Sequence, residues 1–435
     1  MSRYTASDAD IAGQLSYLEE LTGRGIRTDL SSTRTALSLL GHPERKVRTV
    51  IVGGTNGKGS TVAMIGSIIR HAEYSVGCYY SPHILDVRER IVFNGRPISP
   101  ADMACLINRV RGGIAGHVEL TYFEFLTVSA YVWFAEKKAD ISVMEVGMGG
   151  RFDATNVADP LVSVITTVAL DHTQYLGDTE EAIAIEKVQI VPREGILVAG
   201  RVSGAVAKVL QDHARERNAD VILLGRDFKA VRNTGTDAGS ANSMRYRGLS
   251  VRFDDMYLPL AGRHQIDNAA VALAVVELLG HKGFSIPERA VRQGIASVHL
   301  SGRMQRISDV PEVMVDVAHN PAGARVLADY IRALPKKKTA FVVGMMVDKD
   351  IGGFIKKING MADMLVLTQP RVERAASIQM LAAALGSPGR QLRMIRSVGE
   401  AVDWARSTVG KEGRVVITGS FYTVQEAMER MNVMP

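Results

Sequence analysis

Cysteine is almost missing from this sequence: Cys78 and Cys105 are the only two in 435 residues. A disulfide framework and a cysteine-built zinc site are thereby excluded, and the chain suits a reducing compartment. Long apolar runs are missing too. No stretch approaches the roughly 20 apolar residues of a membrane span, and the polar opening MSRYTASDAD lacks the apolar core of a signal peptide. A cytoplasmic protein is expected. Excess charge of one sign is small, 52 Lys and Arg against 46 Asp and Glu, a net +6. That suits anionic small molecules such as nucleotides or carboxylates, whereas nucleic-acid binding would need a clustered basic patch. The one basic run, Lys336-Lys337-Lys338, follows Pro335 and reads as a solvated turn.

With 46% hydrophobic residues the chain has the composition of a globular protein, and at roughly 100–200 residues per domain it should hold two or three domains. Residues 8–40 read as two amphipathic helices around a turn at 23–29. Residues 47–55 form a short β-branched run ending in glycines, a buried strand, and residues 60–71 have helical apolar spacing. Further strands are expected at 141–147, 162–170 and 195–200, with a helix at 123–138, so the sheet should be parallel and covered on both faces. Residues 220–260 read as a β-hairpin insertion, and a helix at 265–279 closes the first domain. The pattern restarts after 294–302, with strands at 313–319, 339–345, 362–368 and 414–420. The fold class is therefore α/β: a phosphate-loop-type parallel-sheet domain over 1–298 and a smaller Rossmann-like domain over 299–435, with a ligand expected between them.

Between the predicted strand and helix lies Gly54-Thr55-Asn56-Gly57-Lys58-Gly59-Ser60. A glycine-rich turn in that place presents backbone N–H groups and a helix N-terminus to an anion. Lys58 would meet the β- and γ-phosphates, and the hydroxyl of Ser60 or Thr61 a metal or phosphate. The match is imperfect, since Gly59 intervenes where Ser or Thr usually follows the lysine. Glu145 ends a predicted strand, Asp171-His172-Thr173 ends the next, and Ser81-Pro82-His83 follows another. Oxygen and imidazole groups on neighbouring strand ends could hold Mg²⁺ with phosphate oxygens and water; singly, each histidine could equally be a hydrogen-bonded turn residue.

Taken in order, GTNGKGS, YYSPHILDVRERI, LTYFEFLT, EVGMGGRFDATNV, ALDHTQYLG, IEKVQI, HQIDNAAVA, SGRMQ, DVAHNPAGA, GMMVDKD and VITGSFYTV resemble the motif series of the folylpolyglutamate synthase and dihydrofolate synthase family, within the Mur ligase superfamily. The series spans residues 54–424. The resemblance implies an ATP- and Mg²⁺-dependent ligase that joins glutamate to a pteroate or folate carboxylate through an acyl phosphate, in folate biosynthesis and one-carbon metabolism.

It also implies roles. Thr55, Asn56, Gly57, Lys58, Gly59 and Ser60 would hold the triphosphate, with Asn268, Arg303 and Asp316 around the rest of the nucleotide. Ser81, Glu145 and His172 would hold metal, at two Mg²⁺ sites with Lys187, a lysine carbamylated in the family. Lys58, His172 and Lys187 would be catalytic. Val188-Gln189 departs from the Ala-Gly common after that lysine, and Ser301 stands where proline is frequent. Asp29, Leu30, Thr121, Tyr122, Phe123, Glu124, Phe152, Asp153 and Ala154 match segments lining the pteroate pocket; His319, Asn320 and Ser420 lie on the side that binds glutamate. The expected partners are ATP, L-glutamate and dihydropteroate or folates, with neither nucleic acid nor membrane, and the chain is expected to be a monomer. Three other readings stand beside this one: a Mur-type ligase for another carboxylate, a nucleic-acid-dependent P-loop ATPase, and a non-catalytic nucleotide-binding module.

Overall fold

The computed structural model describes residues 8–233, 243–385 and 391–433. The chain builds an N-terminal domain on a mainly parallel sheet and a separate C-terminal α/β domain. The first sheet has eight strands: β1 Arg48–Gly53, β2 Val76–Tyr79, β3 Ile91–Phe93, β4 Arg96–Pro97, β5 Ile141–Glu145, β6 Pro160–Ile165, β7 Ile196–Ala199 and β8 Asp220–Leu223. Their order is β4-β3-β2-β5-β1-β6-β7-β8, and only β3 runs against the others, so its pairings with β2 and β4 are antiparallel. A second sheet stacks β9 Lys229–Arg232, β10 Ser243–Arg247 and β11 Arg252–Tyr257 antiparallel. The third follows the order β12-β13-β17-β14-β15-β16, with β12 Gln305–Asp309, β13 Glu312–Val315, β14 Thr339–Val343, β15 Met364–Leu367, β16 Gln391–Met394 and β17 Arg414–Thr418.

Alternation sets the layers. Val50 and Val52 of β1 face the helices Lys58–His71 and His264–His281, while Ile51 between them faces the helices Glu180–Lys187 and Gly204–Glu216. Both faces of the central strands are therefore apolar and buried, as parallel strands require. On the β2 side, Tyr79 and Met144 pack against the helix Tyr122–Glu136. Because β5 and β6 flank β1, the turns leaving all three strands open at one edge of the sheet, the place where open α/β sheets bind ligands.

Several expectations need correction. The strand expected over 162–170 stops at Ile165, because the next residues leave the ladder to bond the glycine turn: Thr166 N–H reaches Gly53 O at 3.0 Å, and Thr55 N–H reaches Thr167 O at 2.7 Å. Asp171 and His172 thus sit beyond a loop and not at a strand end. The 220–260 insertion divides: β8 joins the main sheet by pairing parallel with β7, and only β9–β11 form the added sheet, the middle of the segment (234–242) lying outside the described residues. The helix near 265–279 does not close the first domain. The helix Glu288–Ala296 follows, and Gly294 lets it approach so closely that a Cβ there would lie 2.5 Å from Ile68 Cα. The basic run is exposed between two elements, as expected, with Lys337 Nζ paired to Glu312 at 2.9 Å and Lys338 Nζ donating to Thr408 O at 2.9 Å. Among the described residues no helix is long and apolar enough to cross a membrane.

Candidate active site

The glycine turn after β1 is held by backbone geometry that only glycine accepts without strain. Gly54 has φ 131° and Gly57 φ 89°. A Cβ on Gly54 would lie 2.1 Å from Thr166 Oγ1, and one on Gly57 would lie 2.4 Å from Asn268 Oδ1. Hydroxyls of the β6 loop complete the turn: Thr166 and Thr167 donate to Asn56 O at 2.7 and 3.1 Å, while Asn56 N–H donates to Thr167 Oγ1 at 3.0 Å. The helix Lys58–His71 then begins directly, with its first N–H groups at the turn. Lys58 Nζ donates to Gly54 O and Thr55 O at 3.2 Å each, and Lys187 Nζ donates to Gly54 O at 3.1 Å. Two ammonium groups from different elements therefore meet at one loop.

Glu145 faces that loop from the end of β5. It accepts Ser81 N–H at 3.2 Å, and a Cβ on Gly59 would sit 3.3 Å from its Oε2. Burial raises its pKa, opposed by Lys58 and then by Ser81 and Arg303. Arg303 is likewise flanked by Glu145 and Asp316, the latter fixed by N–H groups of Met304 and Ala318 at 2.9 Å each. Ser81, Glu145, Gly59, Arg303 and Phe421 line one cavity of about 380 Å³ between the two domains. A buried carboxylate beside Ser81 and two cationic side chains offers hard oxygen, the kind Mg²⁺ uses when phosphate and water supply its other ligands. Among the described residues no three His, Cys, Asp or Glu side chains converge to form a metal cage without such help.

His172 lies apart from Glu145 in a second cluster. Burial lowers its pKa to about 4, helped by Lys349, so the imidazole is neutral near pH 7. Lys349 Nζ lies 3.3 Å from His172 Nε2 and 2.7 Å from Asp171 Oδ1. Asp171 also accepts Asn320 Nδ2 at 3.0 Å and pairs with His319 Nε2 at 3.3 Å. Although burial opposes ionisation, His319 and Lys349 hold this carboxyl far below the usual range. Asn56 and Asn320 exchange side-chain hydrogen bonds at 3.1 and 3.2 Å, so the phosphate-type turn is tied to the C-terminal domain. In the sequence Asp171 stands out only as part of the Asp171-His172-Thr173 motif and Lys349 not at all, its one signal being the Asp348-Lys349-Asp350 triplet after a strand.

Lys187 is a buried and strongly perturbed cation. Burial, then the neighbouring Lys58, lowers its pKa to about 7. Asn268 is buried and donates to Gln265 Oε1 at 2.9 Å beside Gly57. Ser420 caps the helix Phe421–Arg430 by accepting Thr423 N–H at 3.0 Å, and Asn320 caps Pro321–Ala333 by accepting Gly323 N–H at 2.9 Å. These two caps and His319 share one face, because Gly419 N–H reaches Ala318 O at 3.0 Å.

The segments expected around pteroate gather on the helix Tyr122–Glu136, but their acids are committed to structure. Thr121 and Glu124 form its capping box, and Glu124 also accepts Thr33 Oγ1 at 3.2 Å. Asp153 closes its own loop, accepting N–H groups of Gly147, Met148 and Thr155 at 2.9–3.0 Å. Asp29 is exposed and accepts Ser31 N–H at 2.8 Å beside the half-buried Leu30, Phe123 packs over Gly147, and Ala154 is buried. Phe152, 46% exposed, and Tyr122, under the Arg90 guanidinium at 5.3 Å, are left to meet a ligand.

Comparison with known proteins agrees with this arrangement. The Mur ligase middle domain matches residues 52–276, and the Mur ligase glutamate ligase domain matches residues 302–421. The chain is 34% identical over 430 residues to the dihydrofolate synthase/folylpolyglutamate synthase of Escherichia coli (strain K12), covering 99% of this chain and 97% of that protein. The Mycobacterium tuberculosis folylpolyglutamate synthase complexed with ADP and AMPPCP has the same fold, with TM-score 0.90, 32% identity and coverage of 98% of this chain and 100% of that one. The bifunctional folylpolyglutamate synthase/dihydrofolate synthase of Yersinia pestis, complexed with AMPPNP and Mn ion, matches at TM-score 0.86 and 31% identity over 99% of this chain and 100% of that one. A phosphate-type turn, a buried carboxylate facing it and a C-terminal domain closing on both thus sit within near-complete sequence and structural likeness, and the chain belongs to the dihydrofolate synthase/folylpolyglutamate synthase family of ligases, built on Mur ligase domains.

Proposed function

We propose that this protein joins the amino group of L-glutamate to the carboxylate of dihydropteroate, of a folate, or of both, at the expense of ATP. A carboxylate cannot expel oxide, so it must first accept the γ-phosphoryl group. The glutamate nitrogen then attacks the acyl carbon, phosphate leaves, and the products are the amide, ADP and phosphate. Two anions must approach, and fixed cations and aligned N–H groups provide most of the help. Supporting this reading is one observation above all: Lys58, Arg303 and Lys187 gather at the glycine turn opposite the buried carboxylate of Glu145.

In this reading Thr55, Asn56, Gly57, Lys58, Gly59 and Ser60 bind the triphosphate, Lys58 turning from the loop carbonyls to phosphate oxygens. Asn268, Arg303 and Asp316 bind the remainder of the nucleotide across the domain junction. Ser81 and Glu145 would hold one Mg²⁺ and the neutral His172, from its separate cluster, would serve a second; bound there, the ions neutralise phosphate charge. Lys187 is neutral often enough near pH 7 to take up carbon dioxide as a carbamate, and would then serve a second metal. Phe152, Tyr122 and Leu30, supported by Asp29, Thr121, Phe123, Glu124, Asp153 and Ala154, border the pteroate. His319, Asn320 and Ser420 orient glutamate. A monomer in the cytoplasm belongs to the same reading.

Purified protein should release ADP only when acceptor and glutamate are both present, with the amide product seen by mass spectrometry for dihydropteroate and tetrahydrofolate offered separately. ATP turnover indifferent to either substrate, or stimulated by DNA or RNA, would refute it. Lys58→Ala should lower turnover by a hundredfold or more, on the scale of losing one preorganised charge partner.

A further inference from the structure

The three-stranded sheet β9–β11 has two unlike faces. Its inner face is apolar: Met244, Tyr246, Phe253 and Met256 are buried in the core around the helix His264–His281. Its outer face carries cations. In register, Lys229 of β9 stands opposite Arg247 of β10, and Arg247 stands opposite Arg252 of β11, so three positive side chains form one row across the sheet. All three are exposed, as is Arg245 two residues along β10. Only Arg252 has an acid, Asp254 at 3.1 Å; among the described residues the side chains of Lys229, Arg245 and Arg247 have no ion-pair or hydrogen-bond partner. Like charges directly opposite one another weaken a sheet, and the inner packing does not call for them. Two apolar groups lie among the cations: Val231, 49% exposed, opposite Arg245, and Tyr257, 51% exposed, on β11.

We propose that this outer face docks an acidic segment of a partner protein, whose carboxylates meet Lys229, Arg245 and Arg247 and whose apolar side chains meet Val231 and Tyr257. The assignment stands apart from the ligase reading and does not depend on it. Guanidinium forks take carboxylates in a bidentate way, and charges left without an acid have no internal contact to give up on binding. The size suits a short segment, since strands stand about 4.8 Å apart and a row over three of them is roughly 10 Å wide. A nucleic acid fits less well. One tyrosine is no stacking platform for successive bases, and Val231 would be set against phosphate. A second copy of this chain is also the wrong partner, because each copy carries a net +6 and the two repel.

Fluorescence anisotropy on the full chain tests this with a labelled acidic peptide, glutamate interrupted by single leucines, beside labelled oligothymidylate and phosphatidylserine vesicles. The wild-type chain should bind the peptide, more weakly as salt rises. Arg247→Glu should weaken that binding about tenfold and Arg245→Gln about threefold, on the scale of exposed ion pairs. Lys208→Glu makes the same change of net charge on the helix Gly204–Glu216, across the main sheet, and should bind as the wild type does. The melting temperature of Arg247→Glu should rise by roughly 1–3 °C, since an acid in the middle of the row replaces repulsion with attraction. No binding by the wild-type chain overturns the assignment, as does an equal loss in Lys208→Glu, which would make net charge alone responsible. A fall in the melting temperature of Arg247→Glu overturns it too, because the arginine would then serve the fold. Oligothymidylate or vesicles held as tightly as the peptide, and released by the same substitution, overturn the choice of a protein partner.

Discussion

Lys349 of the C-terminal domain places Nζ 2.7 Å from Oδ1 of Asp171 in the N-terminal domain, with both side chains at least nine-tenths buried. Asp171 also receives His319 and Asn320, so one carboxylate gathers three groups from the opposite domain. Removing it strands buried donors, and the cost of an unpaired buried charge is about 3–5 kcal/mol. Asp171→Ala should therefore loosen the domains and slow turnover at least tenfold. Small-angle scattering and steady-state assays check this together: an unchanged radius of gyration with unchanged kcat would show that the contact holds nothing.

The glycine turn makes a sharper geometric demand. At Gly57 an alanine would combine φ 89° with a Cβ 2.4 Å from Asn268 Oδ1. Such backbone strain costs on the order of 1–3 kcal/mol. Gly57→Ala should lower thermal stability and weaken AMPPNP binding at least tenfold by displacing Asn268. Adding Asn268→Gly should restore much of the stability but not the binding. Calorimetric melting and titration of both variants decide it, since equal stability for the single and double variants would exclude the clash.

Much of this was legible in the sequence because it follows from local pattern. The β-branched run before Gly53, the glycines after it and the apolar spacing from Val62 to Ile69 give strand, turn and helix without tertiary help. What escaped depended on contacts distant in sequence. Thr166, Thr167 and Val168 have strand composition, yet the two hydroxyls serve the turn 110 or more residues earlier, so the ladder ends. The edge strand β12, QRISD, is too polar to announce itself, and pairs because β13 offers an open edge. Asp153 and Glu124 look like ligand-binding acids in a motif, but their oxygens are consumed by nearby N–H and hydroxyl groups, which no spacing argument can foresee.

The C-terminal domain carries its own buried ion group. Arg414, 2% exposed, sets Nε 3.2 Å from Glu312 Oε1, and Lys337 Nζ lies 2.9 Å from Glu312 Oε2. Together they hold Glu312 below its ordinary value despite the opposing effect of burial. Glu312→Ala leaves the Arg414 charge unpaired between β13 and β14, a loss of about 3–5 kcal/mol. Urea unfolding should show the C-terminal transition shifted to lower denaturant, while the N-terminal transition keeps its midpoint. A shift of both, or of neither, contradicts this local role.

Lys187 couples stability to pH in a calculable direction. Burial and the charge of Lys58 lower its pKa in the folded chain to about 7, against roughly 10.4 when unfolded. Between those values the unfolded state binds the additional proton, so stability rises with pH across the window and its full penalty is felt below pH 7. Lys187→Met removes the penalty and should raise the melting temperature at pH 6, by an amount corresponding to a few kcal/mol at most. The advantage should shrink steadily toward pH 10, where the native and unfolded lysine approach the same charge. The measurement belongs in metal-free buffer purged of carbon dioxide, since carbamate would mask the amine. The variant should at the same time lose ligase turnover, because a stabilised site without the amine has nothing to carbamylate. An offset of equal size at pH 6 and pH 10 would mean that the amine is ordinary and that its burial does not depress its basicity.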